Sequence, residues 1–200
     1  MKTSLKVVVA ACLVAVSASA NAQVVDFSGD NGTQPNPFFS SGSSLVSFST
    51  VPSPSFFRVS DFGHQSHGNG LALWNSGNPY FLTMSFVNPM SFLSVGFGND
   101  DLCCGPVGMN VFLRIFSGST QIGGSSVVAN MNDIMDQTIS WTGAAFDRAE
   151  LEYGSVGLAI VVDDVTFNNN AIATPEPASL ALLATGLVGI GGVVRRRRRA

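Results

Sequence analysis

The chain has 200 residues, 46% of them hydrophobic, with ten lysines and arginines against thirteen acids for a formal charge of −3. Seven of the ten basic residues, Lys2, Lys6, Arg195, Arg196, Arg197, Arg198 and Arg199, sit at the two ends, so residues 23–174 keep only Arg58, Arg114 and Arg148 against twelve acids, a net charge of −9. That balance leaves no basic patch to neutralise phosphates and excludes nucleic acid as a partner, while about 150 residues suffice for one domain with its own core.

At the N-terminus, Lys2 and Lys6 precede an apolar stretch at residues 7–16 and then Ala18-Ser19-Ala20-Asn21-Ala22. A charged start, a short apolar run and a small-x-small ending define a secretory signal peptide over residues 1–22. Cleavage set by Ala20 and Ala22 starts the mature chain at Gln23. Val9-Ala10-Ala11-Cys12 resembles a lipoprotein box, but the apolar run continues beyond Cys12, which reads as one more small member of the signal.

From residue 23 to 168 there is no heptad and no long helical period. Short alternations recur between clusters of Gly, Ser, Asn and Pro, the pattern of an all-β domain. Leu82, Met84 and Phe86 share one face opposite Thr83 and Ser85, and Leu93, Val95 and Phe97 alternate with Ser94 and Gly96. In residues 111–116 the inward set is Val111, Leu113 and Ile115, which puts Arg114 on the other face. Further strands are expected at 24–27, 45–49, 56–59, 71–74, 138–141, 149–153 and 158–167. About ten strands at this spacing predict an antiparallel β-sandwich, a jelly roll. The ending Leu158-Ala159-Ile160-Val161-Val162-Asp163-Asp164-Val165-Thr166-Phe167 resembles the last strand of many jelly-roll carbohydrate-binding-like modules, and the resemblance implies that this strand returns to pair near the first.

Chemistry-bearing residues are sparse. Cys103 and Cys104 are neighbours, and consecutive Cα atoms lie about 3.8 Å apart where a disulfide wants about 4.4 to 6.8 Å. A strained vicinal disulfide, an intermolecular bridge and buried thiols all remain open, and the first is the favoured reading. Asp100 and Asp101 in a glycine-flanked loop, with Asp163 and Asp164 in the last strand, are candidate calcium ligands beside Asp30 and Asp61, since calcium takes hard oxygen donors. Adjacent strand residues face opposite sides, so Asp163 and Asp164 reach one ion only if the strand bulges there. The competing reading is that these acids are turn residues.

His64 and His67 share a Gly- and Asn-rich loop without the spacing of a zinc site. No nucleophile elbow is present, and the twelve acids single out no glycosidase pair, so the domain is expected not to be an enzyme. Trp74, Tyr80, Trp141 and Tyr153 carry flat faces suited to sugars, although such rings more often fill cores. Trp74, between a strand and the loop 75–78, is the best candidate for an exposed sugar platform.

The C-terminus reads Pro175-Glu176-Pro177 after a short linker that begins at residue 169, an apolar run at 178–194, then Arg195, Arg196, Arg197, Arg198 and Arg199 in the terminal stretch 195–200. Seventeen residues of helix span roughly 25 Å at 1.5 Å per residue, enough to cross a hydrocarbon core of about 30 Å only marginally. Five arginines stop transfer and fix the tail on the cytoplasmic side. This three-part order resembles the PEP-CTERM sorting signal of Gram-negative bacteria. The resemblance implies an inner-membrane intermediate held by the 178–194 helix, removal of that helix by the membrane transpeptidase exosortase, and delivery to the cell surface or extracellular matrix. It also implies association with exopolysaccharide. A secreted hydrolase acting on that matrix, or a purely structural matrix component, is the alternative.

Overall fold

The structure is a computed structural model that describes residues 22–51, 56–74, 80–98, 108–153 and 160–168. The signal peptide, the loop carrying Asp100, Asp101, Cys103 and Cys104, and the tail from residue 169 lie outside the described residues. Among the described residues no helix is long and apolar enough to cross a membrane.

Ten strands form the domain: β1 (Gln23–Val25), β2 (Gly32–Gln34), β3 (Val46–Val51), β4 (Phe56–Asp61), β5 (Asn69–Trp74), β6 (Tyr80–Gly98), β7 (Asn110–Ser117), β8 (Thr120–Val128), β9 (Gln137–Tyr153) and β10 (Val161–Asn168), with a 3-10 turn at Gly63–Gln65. All pairings between them are antiparallel, as the alternation requires. The hydrogen-bonded order is β2-β4-β5-β10-β6-β9-β7-β8, with β1 on β10 and β3 on β6. The return of the last strand onto the first is observed as Gln23 opposite Phe167 and Val25 opposite Val165.

Two strands are longer than the sequence pattern announces. The runs 80–86 and 93–97 are one strand, β6, of 19 residues, and β9 has 17. They pair with each other on both sides of an irregularity, where the register shifts between Ser85 and Met90 and again before Phe92. Pro89 sits at that break. A proline has no N–H to give the ladder and is confined in sheets to edges and irregular points, so β6 bends there instead of ending. The halves then serve different layers. Residues 80–86 of β6 pair with β3 and with the end of β9, which continues to β7 and β8, whereas residues 92–98 pair with β10 and the start of β9.

The layers close on each other through apolar faces. Val46, Phe48, Leu82, Met84, Val111, Leu113, Ile115 and Leu151 are buried from one layer; Phe57, Val59, Leu71, Leu93, Val95, Phe97, Ile139 and Phe167 are buried from the other. Rings bridge them, with Phe38 within 6.1 Å of Phe48 and 6.4 Å of Phe57. Phe86 lies edge-on to both Phe146 and Phe167, at 5.6 and 5.3 Å. This is the expected all-β antiparallel sandwich of jelly-roll kind.

Strand β8 escapes the sequence reading because Ile122-Gly123-Gly124-Ser125-Ser126 looks like a loop. Its glycines have a packing reason: a Cβ on Gly123 would overlap the ring of Trp141, and one on Gly124 would strike the carbonyl of Leu113. The outer face of the β6-β9-β7 layer carries the predicted polar side. Arg114 pairs with Glu152 and lies 5.5 Å over Phe81, while Arg148 pairs with Glu150 and lies 3.9 Å over Phe116.

Phe48→Ala, which empties the ring cluster between the layers, is expected to cost about 3 to 5 kcal/mol of unfolding free energy. Phe112→Ala, at a side chain 40% exposed, should cost far less. Chemical denaturation of both variants checks this, and equal losses would mean the layers do not close on Phe48.

Candidate functional site

Between the bend of β6 and the ends of the strands, the outward residues at 94, 96, 138, 140 and 166 are small or hydroxylated, because their neighbours in sequence fill the core; the bulky Phe92 stands at the margin of this face, beside Thr142 and Asn168. Thr166 stands beside Ser94 and Ser94 beside Ser140, while Gly96 stands beside Thr138. Two loops rise at the ends of these strands and turn the polar face into a groove of about 360 Å3 lined by His67, Ser94, Gly96, Met135, Asp136, Gln137, Thr138, Asp164 and Thr166.

Both walls rest on glycines of β6. At Gly96 an added Cβ would come 2.7 Å from Met135 Cε and 3.1 Å from the Asp163 carbonyl, and at Gly98 it would strike the carbonyl of Gln65. Only glycine lets loops approach the strand so closely. The walls are also tied to each other. The Met135 N–H donates to the His64 carbonyl at 2.7 Å, and the Gln65 amide donates to Asp133.

The double aspartate anchors the remaining side. The β10 register shifts between Asp163 and Thr166, and Asp164 takes a left-handed φ of 49°. The condition attached to this pair is therefore met: the strand bulges. Asp163 points inward and is fully buried, and its two oxygens accept the N–H groups of His67 at 3.0 Å and Asp164 at 2.8 Å. Asp164 points out and accepts the His67 Nδ1–H at 2.8 Å. Burial pushes the Asp163 carboxyl up to about 6, against the pull of the two backbone donors, and the hydrogen bond to Asp164 raises the His67 imidazole above its ordinary value. Across the groove, amide donors from Asn130 and Asn132 hold Asp136 below the usual carboxylate range.

The other singled-out acids shape loops. Asp30 accepts the Ser40 hydroxyl at 2.5 Å and the Ser41 N–H at 2.9 Å, and Asp61 accepts the Gly63 N–H at 2.8 Å. Among the described residues no three His, Cys, Asp or Glu side chains gather as a metal set. Trp141 is half-buried against the core and covers Gly123 and Gly143. The Trp74 backbone pairs with Phe56 in the β5 ladder, and its side chain lies outside the described residues. A second hollow of about 470 Å3 is bounded by Gln23, Val24 and residues 41–45. The Ser43 hydroxyl there is already used, donating to Gln23 at 3.2 Å and accepting the Leu45 N–H. Sequence reasoning missed Ser94, Thr138, Thr166 and Asp136. The first three were visible as the polar half of each strand alternation, but alternation alone does not say which sheet face is walled.

Residues 173–199 match the model of the PEP-CTERM protein-sorting motif, so the chain carries that signal at its C-terminus. No curated protein matches the chain in sequence. Among solved structures it is similar to the K2 cleaved adhesin domain of Lys-gingipain, at 11% identity and a TM-score of 0.47 over 74% of this chain and 99% of that one. It is also similar to the family 11 carbohydrate-binding module from Clostridium thermocellum, solved with a β-1,3-1,4-mixed-linked tetrasaccharide, at 13% identity and a TM-score of 0.43 over 76% and 98% of the two chains. A third likeness, to the enzymatically active domain of bacteriophage CBA120 tailspike protein 4, covers 62% of this chain but only 19% of that one, at 11% identity and a TM-score of 0.40. At these values the likenesses describe shape alone.

The Asp163 carboxyl gives a pH signature. Its folded pKa of about 6 lies above the ordinary aspartate value of 3.8, so its contribution is fully present below pH 3.8 and is lost as pH rises through about 6. A shift of two units corresponds to about 3 kcal/mol. The raised His67 acts in the same direction, whereas the lowered Asp26 and Asp136 lose their contribution as pH falls through the ordinary carboxylate range. Thermal unfolding from pH 4 to 8 should show stability falling between about pH 4 and 6, and Asp163→Asn should flatten that limb; an unchanged slope in the variant would contradict the assignment.

Proposed function

We propose that this is an exported, non-enzymatic surface protein whose sandwich holds extracellular polysaccharide in the groove over β10, β6 and β9. The observation that carries the reading is the groove's composition: hydroxyls of Ser94, Thr138 and Thr166 line a floor walled by His67, Asp136 and Asp164, beside a Gln137 amide that is bonded to Asn130 and Val128. Such groups donate to and accept from sugar hydroxyls, and their strands hold them in place before a ligand arrives.

The sorting motif supports the setting. In this reading an exosortase-like enzyme acts at Pro175-Glu176-Pro177, the 178–194 helix holds the chain in the membrane until then, and the released domain reaches the surface where the matrix is. Each sugar contact is weak, so retention comes from many protein copies along one polymer.

The test has two arms. Intact mass of protein recovered from the cell surface should correspond to a chain ending near Pro177; a chain retaining Arg199 would contradict processing. The wild type should be retained on the organism's own exopolysaccharide without releasing new reducing ends, and Thr138→Arg, which fills the floor from an exposed position, should lose most of that retention. Unchanged retention in the variant would sink the groove as the site, and release of reducing ends would favour a hydrolase.

A further inference from the structure

The groove's charges sort glycans by sign. Among the described residues its lining includes two carboxylates, Asp136 on one wall and Asp164 on the other, and no lysine or arginine. The one basic side chain, His67, already gives its Nδ1–H to Asp164. Arg114 and Arg148 are committed to Glu152 and Glu150 on the other layer, and Arg58, on the outward side of β4, is not among the residues that line the groove. A polymer of uronate, sulfate or phosphate groups entering the groove would meet the Asp136 carboxylate with no lysine or arginine among the described lining residues to offset it, the His67 imidazole being closed on Asp164.

Among the described residues the lining holds no Phe, Tyr or Trp ring. A neutral sugar is held largely by stacking its apolar face on such a ring. Without one, hydrogen bonds and charge must supply recognition. Asp136 is well placed for this, since the Asn130 and Asn132 amides keep it ionised while it stays at the surface.

We propose that the ligand of the groove is a polysaccharide bearing primary ammonium groups, a partly deacetylated hexosamine polymer, whose amines meet Asp136 and Asp164 while ring hydroxyls meet Ser94, Thr138 and Thr166. This rests on the reading of the groove as a glycan site and gives it a ligand class. Single exposed charge pairs are weak, so affinity accumulates along the polymer and falls steeply with salt.

The test measures binding of the full chain, purified in detergent, to three soluble polymers: polyglucosamine, its N-acetylated counterpart and a polyuronate. The expected order is polyglucosamine at least tenfold tighter than the acetylated polymer, with no binding to the polyuronate. Binding to polyglucosamine should weaken about tenfold in the double variant Asp136→Asn with Asp164→Asn, in which asparagine tolerates the left-handed backbone at 164. The control Asp26→Asn with Asp147→Asn removes the same charge away from the groove and should bind as the wild type does. If the control weakens binding as much as the groove variant, attraction to an acidic surface explains the result and the proposal fails. Equal binding of acetylated and deacetylated polymers, lost in Thr138→Arg, would leave the glycan site standing and overturn the charge rule. Absence of binding to every polymer would overturn both.

Discussion

Two strands carry both layers of the sandwich, and the bend they share is the constraint on which the rest depends. Because β6 and β9 pair on both sides of the irregularity at Phe86–Ser91, with Met90 opposite Phe146 within it, the two faces that must bury their apolar residues are held opposite each other by the same two strands. Burial of the rings around Phe48, Phe57 and Phe167 then locks the bend. A corner made this way needs no new strand, since the same two strands resume pairing on the other layer. It also leaves the far ends of β6 and β9, with β10 between them and the domain's loops, as a face whose outward side chains are free of core duty.

The bulge at Asp163 and Asp164 connects that face to the interior. One carboxylate is buried to receive backbone donors that set the position of His67, and its neighbour emerges to hold the same histidine by its ring. A regular strand could not place adjacent residues in these two roles on one loop. The wall of the groove is thus fixed from beneath by a group whose charge is unfavourable at neutral pH, stability given up where the surface is shaped.

Much of this was legible in the sequence. Period-two alternation identified the inward residues of β6 and β7 correctly, placed Arg114 outside and required a bulge if the two aspartates were to act together. The sorting tail was readable because each of its parts answers to membrane physics. What stayed hidden has physical causes. Pro89 reads locally as a strand end, and only the packing of the second layer makes it a bend. The glycines of β8 read as a loop because their partner, the Trp141 ring, lies on another strand. The groove could not be read at all from spacing, since Ser94, Thr138 and Thr166 are brought together by pairing across three strands far apart in sequence, and Asp136 by a loop that packs on Gly96.

The central claim, that the polar face of β10, β6 and β9 is the ligand surface, is tested most directly by hydrogen–deuterium exchange of the protein with and without its own matrix polysaccharide. Protection should rise in segments 64–68, 94–96, 134–138 and 164–166 and stay unchanged in the Arg114 and Arg148 face. Protection confined to that opposite face, or to the hollow formed by residues 41–45, would contradict the account.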